Sequence, residues 1–417
     1  MTPPRSPSPS PSRSTPRSPP RSPQAVLTGL DRVQADGYRA LQGLRLGLIC
    51  NPTSVDASLH HLADLLSASE ALKLVRLFGP EHGIRGEAQD MIAVDAITRD
   101  SRTGLPVVSL YGSSEASLAP RPEDLIGLDA LVFDIQDIGS RYYTYVWTMA
   151  LCMRAAQQAS LKFIVLDRPN PIDGVSLEGP LVAPGWESFV GLHPLPTRHG
   201  MTVGEIARWL AGERGVSPEL EVVELQGWRR RQLFDTTGLP WVPPSPNMPT
   251  LDTALVYPGQ CLLEGTNLSE GRGTTRPFEI FGAPFIDPHA LAQRLEAFGL
   301  TGLRVRPLWF EPTFQKFAKK RCGGLMLHVV DRSTFQPVLT SLCLLAAVRE
   351  LWPEQLQWRT EPYEFVGNRL AIDLLFGSDR PRLALENGAT PATIAEGWQG
   401  ELQRFRRLRE RYLLYPD

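Results

Sequence analysis

From Leu44 onward, short apolar runs alternate with longer amphipathic ones. Arg45-Leu-Gly-Leu-Ile-Cys50 is apolar at nearly every position, the pattern of a strand covered on both faces, and Asn51-Pro52-Thr53-Ser54 then turns the chain. Leu59, Leu62, Leu65 and Leu66 follow at helical spacing. Further strands are predicted over 72–78, 105–111, 130–135 and 163–166, with a helix over 145–159. Buried strands separated by helices predict a doubly wound, mostly parallel, Rossmann-like α/β domain over residues 25–250.

Thr202-Val-Gly-Glu205 has capping-box form and opens a helix whose apolar face carries Val203, Ile206, Ala207 and Leu210. The segment 238–249 holds five prolines in twelve residues, which predicts a linker or a rigid strap lying across a surface. Beyond it, Asp287-Pro288 starts a helix, 324–330 reads as a strand and 334–351 as a helix. Ile394, Trp398, Leu402, Phe405, Leu408 and Tyr412 recur at steps of three and four, predicting one long amphipathic helix with its arginines on a solvated face. These elements make residues 251–417 a smaller, auxiliary α/β domain.

Composition narrows the function. With 43 basic and 45 acidic residues the formal charge is −2, so a nucleic-acid or anionic-membrane partner is not expected. No apolar run reaches the length of a membrane span. Residues 1–24 contain nine prolines, seven serines and four arginines, which predicts a disordered tail and lacks the apolar core of a secretory signal. Five scattered cysteines suit a reducing compartment, and a cytoplasmic location is the expectation, with an extracytoplasmic one as the alternative if Met1 is a misassigned start. Neither G-x-G-x-x-G nor a Walker A sequence follows any strand, and no histidine or cysteine pair has metal-ligand spacing, so no cofactor and no metal are expected.

Ligands of open parallel sheets bind beyond the carboxyl ends of the strands, and four predicted strands end in polar sequence. Candidate ligand contacts are Asn51 and Ser54 after the first strand. Gly79-Pro80-Glu81-His82-Gly83 follows the second, with Arg85 close behind. A rigidly presented Glu81 suits a general acid, with His82 orienting it; a structural turn salt-bridged to Arg85 fits the same residues equally well. Asp134 and Asp137 end the strand over 130–135 as a second carboxylate or as partners for sugar hydroxyls, ahead of Arg141 and Tyr142. Asp167, Arg168 and Asn170 end the next strand. In the second half, Glu264-Gly-Thr-Asn-Leu-Ser-Glu-Gly-Arg-Gly-Thr-Thr275 offers Glu264, Asn267 and Arg272 as an anion nest.

Taken in order, the Asn51-Pro-Thr-Ser, Phe78-Gly-Pro-Glu-His-Gly, Asp134-Ile-Gln-Asp-Ile-Gly-Ser-Arg-Tyr-Tyr-Thr, Asp167-Arg-Pro-Asn-Pro and Glu264-Gly-Thr-Asn-Leu-Ser-Glu-Gly-Arg-Gly segments resemble the NamZ-type exo-β-N-acetylmuramidases, glycosidases of peptidoglycan. The resemblance spans Leu44 to the C-terminus. It implies an active cleft between the two domains and removal of N-acetylmuramic acid from non-reducing ends of peptidoglycan fragments. It places the acid/base role on Glu81; Glu264, Asp134 or Asp137 could be its partner, or the muramic 2-acetamido group could instead act as internal nucleophile. The lactyl carboxylate of such a sugar requires a cation, for which Arg272 and Arg141 are the candidates. Rival expectations are a metal-dependent hydrolase built on Asp134, Asp167, Glu81 and His82, and a non-catalytic protein that binds muropeptides in the same cleft.

Overall fold

Alternation within the apolar runs decides which face of the sheet each side chain takes. The computed structural model describes residues 25–86 and 98–417; the tail expected to be disordered lies outside them. The first half contains β1 (Arg45–Cys50), β2 (Lys73–Gly79), β3 (Thr98–Arg99), β4 (Pro106–Ser109), β5 (Ala130–Asp134), β6 (Lys162–Leu166), β7 (Glu178–Leu181), β8 (Pro196–Arg198) and β9 (Glu219–Val223). Seven of these form one sheet in the order β3-β4-β2-β1-β5-β6-β9. Neighbours pair parallel from β4 to β9, and only the short β3 runs antiparallel at the edge.

Period-two alternation then builds two cores. Leu46, Leu48 and Cys50 of β1, Ala130 and Val132 of β5, and Ile164 and Leu166 of β6 pack on one face with Leu30, Val33, Leu62 and Leu66. Ile49, Leu131, Phe133, Phe163 and Val165 point the other way, onto the helices Tyr145–Gln158 and Val203–Glu213. The expected doubly wound, Rossmann-like architecture is what the chain adopts. Its strand order reverses between β1 and β5, and there the loops lock onto each other. Ser54 donates to the Asp134 carbonyl, and the Gln136 amide donates to Thr53 Oγ1 at 2.9 Å.

The C-terminal half carries β10 (Ile280–Ala283), β11 (Leu303–Phe310) and β12 (Cys322–Val329) as an antiparallel sheet with β12 in the middle. β9, β10 and β11 have no counterpart among the predicted strands. β9 and β11 lack clean alternation of buried and exposed side chains, and β10 is only four residues long and buried throughout. The helices Leu251–Gln260 and Pro288–Glu296 pack on this sheet and Pro337–Leu351 packs against both of them, its apolar residues continuing the same core that covers the first sheet.

Two expectations require correction. The long final helix is two helices, Pro391–Glu396 and Gln399–Arg409, broken at Gly397-Trp398, although the apolar positions still line one face. Its arginines are not all solvated. Arg409 is buried and gives Nη1 to the carbonyls of His199 (3.2 Å) and Gly200 (2.7 Å) and Nη2 to that of Val175 (2.8 Å), fastening the end of the chain to the first domain.

Candidate active site

At the end of β2 the chain turns within four residues. The Gly83 amide donates to the Pro80 carbonyl at 3.0 Å, and His82 takes the left-handed backbone (φ +71°) that a tight turn of this kind demands at its third position. A histidine held there is strained, a condition that collects at functional sites. The turn presents Glu81 half-buried at the mouth of the sheet with His82 buried beside it. The Leu110 amide, just past β4, donates to the Gly79 carbonyl at 2.7 Å, which sets Tyr111 alongside this turn.

The loop after β5 supplies the floor. Gly139 adopts φ +82°, and a Cβ there would lie 2.5 Å from Asn170 Oδ1, so the loop can close down only with glycine at this point. It delivers Tyr142, Tyr143, Thr144 and Tyr145 to the start of the helix behind. Tyr143 meets Tyr145 (ring centroids 5.1 Å) and Tyr257 (5.5 Å), and Tyr257 meets Phe278 (4.7 Å), all edge-on. Burial drives the hydroxyls of Tyr143 and Tyr145 well above the ordinary tyrosine range, and the nearby negative charge of Glu81 pushes both in the same direction. These phenols therefore stay neutral at physiological pH.

Across from them, Glu264, Arg272, Tyr363 and Glu364 of the C-terminal half close a narrow cleft that is partly open to solvent. Ser245 and Asn247 of the proline-rich segment form a further side, and the Tyr145 hydroxyl donates to the Pro244 carbonyl at 2.6 Å. The five prolines thus make the rigid strap of the two expectations, laid along the cleft. Glu264 is fixed by both oxygens: Arg272 Nη2 donates to one at 2.6 Å and the Tyr363 hydroxyl to the other at 2.7 Å. Arg272 Nε lies 3.3 Å from Glu270, which also holds Lys316 at 3.0 Å, and the guanidinium rests 5.1 Å over the Phe278 ring. Glu264 and Arg272 also line an adjoining pocket of about 450 Å³ that includes Asn267, Trp358 and Arg359.

Of the residues singled out in the sequence, Glu81, His82, Tyr142, Glu264 and Arg272 line this one cleft. The others stand elsewhere. Asp134, offered as a second carboxylate, is fully buried and grips Arg168 through Nε (2.6 Å) and Nη2 (2.9 Å), so neither residue faces the cleft. Asp137 is held by the Gly139 amide (2.6 Å) and His199 Nε2 (3.1 Å) behind the tyrosines. Arg141 has no exposed surface; its guanidinium donates to the carbonyls of Pro180, Leu195 and Leu375, which removes it as a carboxylate receptor. Asp167 accepts from Thr202 Oγ1 (2.7 Å), the Gly204 amide (2.8 Å) and the Tyr415 hydroxyl, and burial pushes its pKa up to about 7.

Five further candidates serve local structure. Asn170 bonds the Met201 carbonyl (3.0 Å) and the Ile172 amide (3.1 Å). Asn51 Oδ1 takes the amide and hydroxyl of Thr53, and Ser54 is wholly buried against the end of β5. Arg85 bridges Asp64 (2.8 Å) and Asp100 (3.0 Å), which replaces the imagined partnership with Glu81. Asn267 joins the 357 and 355 backbone and lines only the neighbouring pocket. The metal-based rival needed Asp134 and Asp167 free to bind an ion; both are engaged as described. Among the described residues no three of His, Cys, Asp and Glu group in a way that would hold one. Tyr257, Tyr363, Glu364, Ser245 and Asn247 were absent from the candidates; the proline density around Ser245 and Asn247 was a usable signal, whereas nothing local marks Tyr363 or Glu364.

Two family models divide the chain between them: the N-terminal model of the exo-β-N-acetylmuramidase NamZ matches residues 46–252, and its C-terminal model residues 255–415. The chain belongs to the NamZ exo-β-N-acetylmuramidase family. It is 44% identical over 390 residues to the peptidoglycan β-N-acetylmuramidase NamZ of Bacillus subtilis (strain 168), covering 94% of this chain and 91% of that protein. Two crystal structures of DUF1343 family proteins from Bacteroides fragilis NCTC 9343 share the fold. One has a TM-score of 0.85 and 35% identity over 95% of this chain, the other 0.72 and 30% over 94%, and each is covered in full. Membership agrees with the site's composition: Glu81 and Glu264 stand on opposite walls of one polar, aromatic cleft, each contributed by a different half of the family's two-part fold.

Proposed function

We propose that this protein is an exo-acting β-N-acetylmuramidase that releases N-acetylmuramic acid from the non-reducing ends of peptidoglycan fragments, with Glu81 as general acid/base. The observation that carries the reading is the placement of Glu81: a strained turn holds its carboxyl at the carboxyl edge of a parallel sheet, in a cleft walled by phenols and carboxylates. Neutral tyrosine hydroxyls can bond sugar hydroxyls while their rings cover the sugar face. Glu81 hands its proton to the departing glycosidic oxygen as positive charge develops at the anomeric carbon, and afterwards accepts one back. Arg272, the arginine lining the cleft among the described residues, is paired with Glu264 and Glu270 and presents its guanidinium at the wall where the lactyl carboxylate would lie.

The test is hydrolysis of a chromogenic aryl β-glycoside of N-acetylmuramic acid. Glu81→Gln is expected to lower kcat by about 10²–10⁴-fold, the range that loss of a general acid brings, with sugar binding by calorimetry retained. A Glu81→Gln enzyme with near-normal kcat overturns the assignment. Tight binding without turnover by the unaltered protein would favour a binding protein.

A further inference from the structure

Glu364 stands on the tip of a two-residue turn. The Tyr363 amide donates to the Val366 carbonyl at 3.0 Å and the Val366 amide returns the bond at 2.9 Å. This leaves Glu364 and Phe365 as the central pair, at φ +45° and +67°. Two successive positive φ values belong to turns that ordinarily take asparagine and glycine, so two large side chains are held here against local preference. What holds them lies across the cleft. The Phe365 ring meets Tyr111 edge-on at 6.0 Å, and the Tyr111 hydroxyl reaches the two Glu364 oxygens at 3.4 and 3.3 Å. Tyr111 follows β4, and its neighbour Leu110 is bonded to Gly79, two residues before Glu81. The turn therefore brings Glu364 over from the C-terminal half to the strand beside the one that carries Glu81, and both line the same cleft.

The other acid on that wall is bonded within its own half of the chain, whereas Glu364 reaches across to Tyr111. Glu264 spends one oxygen on Arg272 and the other on Tyr363, the residue that begins the Glu364 turn. Its position is that of an anchor for the wall.

We infer that Glu364 is the second carboxylate of the reaction, facing the anomeric carbon opposite Glu81 and carrying the negative charge that meets the oxocarbenium-like transition state. This rests on the glycosidase reading above and deepens it. The strained turn sets the carboxylate in place before substrate arrives, which is what electrostatic stabilisation of a short-lived cation requires.

The experiment compares Glu364→Gln, Glu364→Asp and Tyr111→Phe with the unaltered enzyme on the aryl β-muramide, after thermal unfolding has shown each to be folded. Glu364→Gln is expected to lose at least 10²-fold in kcat with KM within about threefold, and to lose the acidic limb of its kcat/KM pH profile. Glu364→Asp keeps the charge and should recover part of the rate. Tyr111→Phe should lose less than tenfold. If Glu364→Gln stays within threefold of normal, or if Tyr111→Phe falls as far, Glu364 is only a strut between the domains and the inference is overturned. An inactive Glu81→Gln beside an active Glu364→Gln overturns this inference alone, whereas an active Glu81→Gln overturns the reading it rests on.

Discussion

Asp134→Ala separates structure from catalysis at a residue whose sequence context suggests both. Its carboxylate has no exposed surface and holds one guanidinium through two short bonds, 2.6 and 2.9 Å, while Arg168 Nη2 has the Val55 carbonyl at 3.0 Å as its other acceptor. Burial raises the Asp134 pKa despite the pull of Arg168, so desolvation outweighs attraction at this carboxyl and the intact pair contributes little net stability. Removing one partner is another matter, because the guanidinium is left charged in the interior. That loss costs about 3–5 kcal/mol, and at about 2–4 °C per kcal/mol for a cooperative unit of 150–250 residues it lowers Tm by about 6–20 °C. Urea unfolding followed by tryptophan fluorescence measures the loss, and hydrolysis below the transition measures kcat. The double variant Asp134→Ala/Arg168→Met removes both charges and should recover most of the stability. A loss below about 1 kcal/mol together with a kcat reduced more than tenfold would refute the argument and return Asp134 to the catalytic candidates.

Asp167 sets a pH dependence. Its folded pKa of about 7 lies above the ordinary 3.8, so the protonated folded form is favoured. That contribution is full below about pH 4 and disappears as pH rises through about 7. The Tm gap between the unaltered protein and Asp167→Asn should therefore shift against the unaltered protein between pH 4 and pH 8, as calorimetry at several pH values will show; a gap constant with pH contradicts the buried, protonated carboxyl. Arg141→Lys leaves one ammonium where a planar guanidinium reaches the carbonyls of Pro180, Leu195 and Leu375. Each buried carbonyl left unmet costs about 1–3 kcal/mol, so the variant should be destabilised by at least that much. It should also keep its preference for muramic acid over N-acetylglucosamine glycosides; a collapse of that preference at unchanged stability would restore Arg141 as the carboxylate receptor.

Local pattern was enough for the parallel sheet. β1 is the predicted strand to the residue, and the Thr202–Glu205 capping box forms as written, because strand alternation and helix caps are decided by residues within four positions of one another. Glycine and proline around Glu81 likewise announced a rigid presentation, since their backbone limits act on the spot. Which polar residues face the cleft was decided by contacts no local pattern encodes. Asp134 meets Arg168 34 residues on, Asp167 meets Tyr415 248 residues on, and Tyr111 meets Glu364 253 residues on. A buried charge takes whatever partner folding brings within reach, and desolvation makes that choice compulsory. The sequence by itself therefore determined the sheet and one acid at its edge. Tertiary packing alone decided which of the remaining acids and cations were consumed in holding the scaffold and which were left facing the substrate.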